Sequence, residues 1–379
     1  MDQIHQDSIQ NGARNDFYIE RLRVLGAGSK RGGQASVRFA INEGMAYRLE
    51  AIKFYTLKSI LEHEKSVLAI LGSADHIRFP TIYNSGKYEN KYWLTMSISQ
   101  EPKDALKFSS QISQMKYDDL LSGKILPLED AIFGDKTTHS GKQLESIILL
   151  QNMDYKKKLK IGITMLESLE ILHDLDIVHN DYKPSQVLLL FLKRDSKRKS
   201  EFFPKTLDFG MHLRLGEIDS MDEFLITPST PLYAHPIVIQ NHLDILSGRK
   251  TREEVLKFYK SDLKWNFKRD EHAAALTMLE LLYGINPLES LANKILLDSR
   301  DSKNKENLNE ESALNVSKDA LTLNAILEAN QIMDSRTERE RFMNLNRDVP
   351  KDIGERLFSA LRGYHDSVSR ENLAREARR

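Results

Sequence analysis

The chain has 379 residues, 40% of them hydrophobic and 29% charged, which is a globular composition long enough to bury a sizeable core in one large or two ordinary domains. Lysine plus arginine and aspartate plus glutamate both number 55, so no overall charge excess points to nucleic acid or to a membrane surface. There is no cysteine, which excludes disulfides, thiolate zinc sites and thiol nucleophiles.

Residues 1–16, MDQIHQDSIQNGARND, read as a flexible polar lead-in without the apolar stretch of a secretory signal. Apolar runs such as Val187 to Leu192 are too short to span a bilayer, so a cytoplasmic chain with no transmembrane segment is expected. From Phe17, YIERLRVLGAGSKRGGQASVRFAI alternates apolar and polar residues around a glycine-rich turn, as a β-hairpin does. Gly26, Gly28, Gly32 and Gly33 would let backbone amides approach an anion, although such a run is as often an ordinary turn. The strand LEAIKFY carries a lone Lys53 between Ala51, Ile52 and Phe54, and a half-buried ammonium needs an anion. LKSILEHEKSVLAIL has helical spacing, with Ile60, Glu64, Val67, Leu68 and Leu71 along one side; the competing reading makes Glu62 and Glu64 both solvated. Ile82 to Tyr88 and Lys91 to Ile98 read as strands joined at Glu89-Asn90. Residues 100–152 carry Gly123, Gly134 and Gly141 and read as an elaborated loop, a platform for a substrate or partner.

Tyr155 to Asp174 repeats Leu159, Ile163, Leu166, Leu169 and Leu172 at helical spacing, with the lysines at 156, 157, 158 and 160 read as a solvated, exposed start. IVHNDYKPSQVLLL then places His179, Asp181, Lys183 and Gln186 on a loop between two apolar runs, where an acid, an amine and an amide can serve one small volume. Leu207-Asp208-Phe209-Gly210 adds a carboxylate before a glycine that permits a sharp turn. Between them, Lys193-Arg194 and Lys197-Arg198-Lys199 read either as a solvated loop or as a site for a phosphoinositide, an inositol phosphate or an acidic substrate. WNFKRDEHAAALTMLELLYGINPL is an apolar helix ended by Gly284 and Pro287. Asp298 to Lys318 is polar enough for a disordered or loosely helical insertion, and helical patterns return at Asp319 to Met333 and Pro350 to Tyr364. The last residues, Glu376-Ala377-Arg378-Arg379, read as part of a helix with no terminator.

In order, AIK, a helix glutamate, HNDYKPSQ, LDFG, TPLY and an aspartate-headed helix resemble the motifs of the protein kinase superfamily, over roughly residues 20–290 and more weakly over 350–373. The resemblance implies an α+β, bilobal protein-kinase-like fold. A small β-rich N-lobe would occupy 17–98 and a mainly helical C-lobe 99–379, with insertions near 100–152, 193–203 and 298–318. It implies ATP and Mg²⁺ (or Mn²⁺) as ligands and a protein hydroxyl as acceptor. Gly26, Gly28, Gly32 and Gly33 would cover the phosphates, with Ala35 at the third glycine position and Ser29 to Arg31 as an insertion. Val37, Ala51, Met96 and Leu188 would surround the nucleotide, and the backbone around Ser97 to Ser99 would meet the edge of the base. Lys53, paired with Glu64, would aim at the α- and β-phosphates.

By the same resemblance, Asp181 is the catalytic base, Lys183 neutralises the transferred γ-phosphoryl group, and Asp208 holds the main metal. Gln186 stands where an asparagine holds a second metal. His179, Leu68 and Phe209 resemble an apolar spine, Thr230 would cradle Asp181 and Lys183, and Asp270 would tie the catalytic loop to its helix. The chain departs from the pattern at Asn180, Gln186 and Ile237, which replace arginine, asparagine and glutamate; Arg370 stands at the position of that glutamate's partner, so local repacking is expected. Without arginine at 180, little dependence on a phosphorylated activation segment is expected. A protein serine/threonine kinase is the favoured reading. A nucleotide-binding pseudokinase scaffold and a small-molecule kinase of the aminoglycoside or choline type are the alternatives, and a bacterial effector kinase delivered into a host cell is a looser resemblance.

Overall fold

The computed structural model describes residues 22–24, 30–31, 35–42, 48–75, 77–97, 125–134, 147–192, 201–303 and 313–361. They fall into two compact units, one strand-rich and one mostly helical, within an α+β architecture.

The first unit takes in the described residues up to 126 together with 188–210. Its main sheet has the order β1 (Leu22–Val24), β3 (Ala35–Asn42), β4 (Arg48–Tyr55), β6 (Lys91–Ser97), β5 (Ile82–Tyr88), and β2 (Lys30–Arg31) adds to β3. Neighbouring strands are antiparallel, with Lys53 of β4 opposite Val37 on one side and Leu94 on the other. Residues 29–31, read as an insertion, thus include a short strand that pairs Lys30 with Val37. Helix α1 (Lys58–Ala74) buries Leu61, Glu64, Val67, Leu68 and Leu71, a stripe repeating every three to four residues. Ala40, Ile52 and Trp93 form an apolar core on the sheet. A second sheet has the order β10 (Glu201–Thr206), β9 (Val187–Leu192), β7 (Ile125–Pro127). The amide of Thr206 donates to the Arg78 carbonyl at 2.9 Å, which fixes the chain just before Asp208.

The second unit contains 127–134, 147–187 and the described residues from 211 onward. Its axis is α7 (Phe267–Tyr283), whose residues from Arg269 to Tyr283 are nearly all buried, as an all-round apolar helix requires. Sharing one apolar core with it are α3 (Tyr155–Asp174), α5 (Pro236–Leu246), α8 (Pro287–Lys303), α9 (Ala313–Met333), α10 (Arg336–Met343) and α11 (Lys351–Leu361). The approach of α3 to α7 is close: a Cβ added at Gly162 would lie 2.7 Å from Met278 Cε. Helix α7 ends at Gly284, whose φ of 78° is the left-handed cap that glycine tolerates without strain. Helices α2 (Leu128–Phe133), α4 (Asp222–Ile226) and α6 (Arg252–Ser261) complete this unit, together with the paired strands β8 (Ile177–Val178) and β11 (Leu213–Arg214).

One sequence expectation needs correction, and a second is narrowed. Lys158 is not part of an exposed basic start: it is 9% exposed, because positions 158, 162, 165 and 169 share the face of α3 turned to the core. The polar stretch 298–318 is helical at both ends, with α8 running to Lys303 and α9 beginning at Ala313. Among the described residues, no helix is long and apolar enough to cross a membrane.

Candidate active site

The first unit holds a buried charge cluster. Strand alternation puts Lys53 and Tyr55 on one face of β4, and the helical stripe of α1 brings Glu64 to them. Lys53 Nζ donates to Glu64 Oε2 at 2.7 Å, to Glu64 Oε1 at 3.0 Å and to Asp208 Oδ1 at 2.5 Å. Burial alone would lower the Lys53 pKa, but the carboxylates of Asp208 and Glu64 outweigh it and hold the ammonium above its ordinary value. The turn at Asp208 has φ 57°, a left-handed conformation that aspartate tolerates better than bulkier residues. Glu64 Oε1 accepts the Phe209 amide at 3.3 Å, and the buried Phe209 ring meets Phe79 edge-on with centroids 6.0 Å apart. Helix, strand and turn are therefore locked to one another through a single glutamate.

Tyr55 belongs to this cluster and was passed over in the sequence. Its hydroxyl donates to Glu64 Oε2 at 2.9 Å from a side chain that is almost fully buried, and burial together with the Glu64 charge raises its pKa, which keeps it a donor. The signal was available, since Tyr55 stands two residues from Lys53 on a strand and so shares its face. Tyr55→Phe keeps the ring and deletes the donor. It is expected to cost about 1.5–3 kcal/mol in urea unfolding, the range for hydrogen bonds to charged groups, whereas a cost under about 0.5 kcal/mol, the level of an incidental surface change, would mean that the bond contributes nothing.

The second unit holds the loop between β8 and β9. Lys183 Nζ donates to Asp181 Oδ2 at 2.7 Å and to Thr230 Oγ1 at 2.5 Å, while the Thr230 hydroxyl donates to Asp181 Oδ1 at 2.6 Å. Gln186 Nε2 donates to Asp181 Oδ2 at 3.3 Å. Buried Asp270, at the start of α7, accepts the amides of His179 at 2.7 Å and Asn180 at 2.8 Å and approaches His173 Nε2 at 3.1 Å. His179 is fully buried against Tyr182, with ring centroids 5.4 Å apart.

Asn180 has a φ of 61° and ties the loop to the chain on both sides of β11: Nδ2 donates to the carbonyls of Met211 at 3.0 Å and Phe224 at 3.1 Å. Arg269 Nη1 donates to Asn180 Oδ1 at 3.0 Å and Nη2 to the Leu225 carbonyl at 2.6 Å, a bracing role that the sequence did not reveal because it depends on tertiary placement. Ser229 Oγ donates to the Asn180 carbonyl at 2.5 Å. At the departure at 237, the Ile237 side chain is exposed and its amide caps onto His235 Nδ1 at 3.2 Å. Nearby, the Tyr233 hydroxyl donates to Glu280 Oε1 at 2.8 Å and Asn286 Nδ2 donates to the same oxygen; burial pushes the Glu280 pKa up to about 8.

The structure thus brings together Lys53, Glu64 and Asp208 in one unit, and Asp181, Lys183, Gln186 and Thr230 in the other. Ala51 and Met96 are buried cross-strand partners on β4 and β6, Leu188 is buried in β9, and Val37 pairs with Lys53 through the backbone. Gly26, Gly28, Gly32, Gly33, Ile98 and Ser99, the basic stretch 193–199 and Arg370 lie outside the described residues.

The donor chemistry fits a hard cation. Asp208 offers a carboxylate whose side chain is 36% exposed. Gly210 keeps the surroundings open, since a Cβ there would lie 3.3 Å from Asp208 Oδ1 and 3.8 Å from Lys53 Nζ. The Gln186 amide nitrogen is committed to Asp181, so its carbonyl oxygen is the atom suited to a cation.

No protein-family model matches the sequence. A protein of Arabidopsis thaliana described as probable serine/threonine-protein kinase PBL20 is 29% identical over 118 residues, which is 27% of this chain and 28% of the plant protein. Among solved structures, the autoinhibited serine kinase domain of the giant muscle protein titin is 14% identical with a TM-score of 0.48, over 94% of this chain and 79% of that one. Rad53 in complex with AMP-PNP is 15% identical with a TM-score of 0.48, over 95% of this chain and 64% of that one.

Proposed function

We propose that this kinase-like chain is an ATP-dependent protein serine/threonine kinase that transfers the γ-phosphoryl group to a protein hydroxyl. The observation that carries the reading is the buried Lys53, held between Glu64 and Asp208, because a strand ammonium braced by a helix carboxylate is the device that steadies nucleotide phosphates in this chemistry. Asp208 would hold Mg²⁺ or Mn²⁺, which when bound neutralises charge on the triphosphate, and Gln186 offers a carbonyl oxygen of the kind such cations take. Lys53 orients the α- and β-phosphates. Asp181 accepts a hydrogen bond from the acceptor hydroxyl and takes its proton late in transfer. Lys183 places a positive charge for the γ-phosphoryl oxygens, and its bonds to Asp181 and Thr230 fix the ammonium before any substrate arrives.

The loop geometry favours a site assembled without a phosphorylated activation segment. Neutral Asn180, braced by Arg269, already holds the carbonyls of Met211 and Phe224.

Metal-dependent nucleotide binding tests the reading before any substrate is known. ATP is expected to stabilise the wild-type chain against heat more strongly with Mg²⁺ or Mn²⁺ than with a chelator. Asp208→Ala is expected to weaken the metal-dependent part at least about tenfold in Kd, or ~1.4 kcal/mol. Equal stabilisation with and without metal, or an unaffected Asp208→Ala variant, would contradict the assignment.

A further inference from the structure

Lys158 is a largely buried lysine that the proposed chemistry does not use. The residue is 9% exposed, yet among the described residues its ammonium makes no hydrogen bond and no ion pair, and burial is the cause of the lowering of its pKa. The stem is buried along the helix face while the ammonium keeps some accessible surface toward a cavity, and a partly desolvated ammonium with no counter-charge beside it favours an anion.

Lys158 lines a cavity of about 260 Å³ within the second unit. Its lining mixes polar side chains, Lys158, Gln151 and Asn346, with apolar ones, chiefly Ala131, Ile132 and Leu281. The amides are largely committed: Gln151 Nε2 reaches the carbonyls of Ile132 and Gly134 at 3.5 Å, and Asn346 Nδ2 donates to the Leu282 carbonyl at 3.0 Å. The C-terminal carbonyls of α7, at one wall, would attract a cation weakly through the helix dipole. Those of Glu280 and Leu282 are already taken, by the Gly284 amide and by Asn346. Among the described lining residues Lys158 is the one that carries a charge, and so the group suited to an anion. An apolar cavity of about 150 Å³ takes a benzene ring, so this one has room for an aromatic or short aliphatic body with a charged head.

We propose that this cavity is a binding site for a small organic anion, a carboxylate or phosphate monoester carrying an apolar body, whose head group pairs with the Lys158 ammonium. The site is separate from the Lys53, Glu64 and Asp208 cluster and from the Asp181 loop, and it stands whether or not the chain transfers phosphate.

The test uses the full chain and three probes of similar size: hexanoate, phenyl phosphate and neutral benzyl alcohol, each added with excess ATP so that the nucleotide site is occupied. At least one of the two anions is expected to raise the Tm by about 2 °C or more at saturation, and which one does so identifies the head group. Benzyl alcohol is expected to have no effect, and Lys158→Arg is expected to keep the response. Lys158→Met is expected to fold at least as stably as wild type, because it removes an unpaired charge, and to lose the response. A shift that persists in Lys158→Met, an equal shift with benzyl alcohol, or no shift with either anion up to roughly 10 mM, tenfold above a millimolar Kd, would overturn the proposal.

Discussion

Lys53→Met is expected to destabilise the strand-rich unit by about 3–5 kcal/mol, the cost of breaking a buried ion pair by removing one partner. Glu64 is fully buried, which already raises its pKa, so losing the ammonium leaves the carboxylate with only the Tyr55 hydroxyl and the Phe209 amide or forces it to take up a proton, and either outcome costs stability. Asp208 adds less to the penalty, since its side chain is 36% exposed and water can replace the lost ammonium. The chain has two tryptophans, which makes the measurement clean: Trp93 lies in the core of this unit and Trp265 in the other. Urea unfolding followed by Trp93 fluorescence in a Trp265→Phe background should show the loss. The double variant Lys53→Met with Glu64→Leu should regain most of it, because an apolar pair of similar volume replaces the charges without a desolvation penalty. Both variants should lack phosphoryl transfer. A double variant no more stable than Lys53→Met alone would mean that the penalty does not come from the stranded carboxylate.

Asp270→Ala is expected to be of similar size, about 2–6 kcal/mol, because it orphans the buried amides of His179 and Asn180 at roughly 1–3 kcal/mol each. Asp270→Asn should rescue little. Both carboxylate oxygens accept amide hydrogens, so the new side-chain NH₂ would face a donor instead of an acceptor. Trp265 fluorescence reports this unit, and transfer activity should fall with stability as the Asp181 loop loses its anchor. An asparagine variant as stable as wild type would contradict this bonding scheme.

Long helices were legible because their burial is periodic. The apolar spacing marked Tyr155 to Asp174, the extent of α3, and the Gly284 terminator marked the end of α7. The Lys53 and Glu64 pairing was also within reach, since a lone strand lysine needs an anion and Glu64 lies on the apolar stripe of the next helix. Lys158 was misread because a run of four lysines among five residues suggests a solvated face. Helical phase, which places 158 in register with 162 and 165, contradicts that suggestion. Arg269 could not have been found this way, because its partners Asn180 and Leu225 lie 89 and 44 residues away and meet it only through the packing of α7. Beyond residue 298 the helical patterns at Asp319 to Met333 and Pro350 to Tyr364 matched the helices that form, while the start of α9 at Ala313 was hidden by the polar composition before Asp319.

Transfer of label from the γ-position of ATP to serine or threonine of a generic basic protein, with Mg²⁺ or Mn²⁺, compared between wild type and Asp181→Ala, tests the central claim most directly. The account predicts stable hydroxyl phosphorylation by wild type and a fall of about 10²–10⁴-fold in rate on losing the base, with ATP binding retained. Nucleotide binding without transfer by wild type, or transfer that survives Asp181→Ala undiminished, would contradict it.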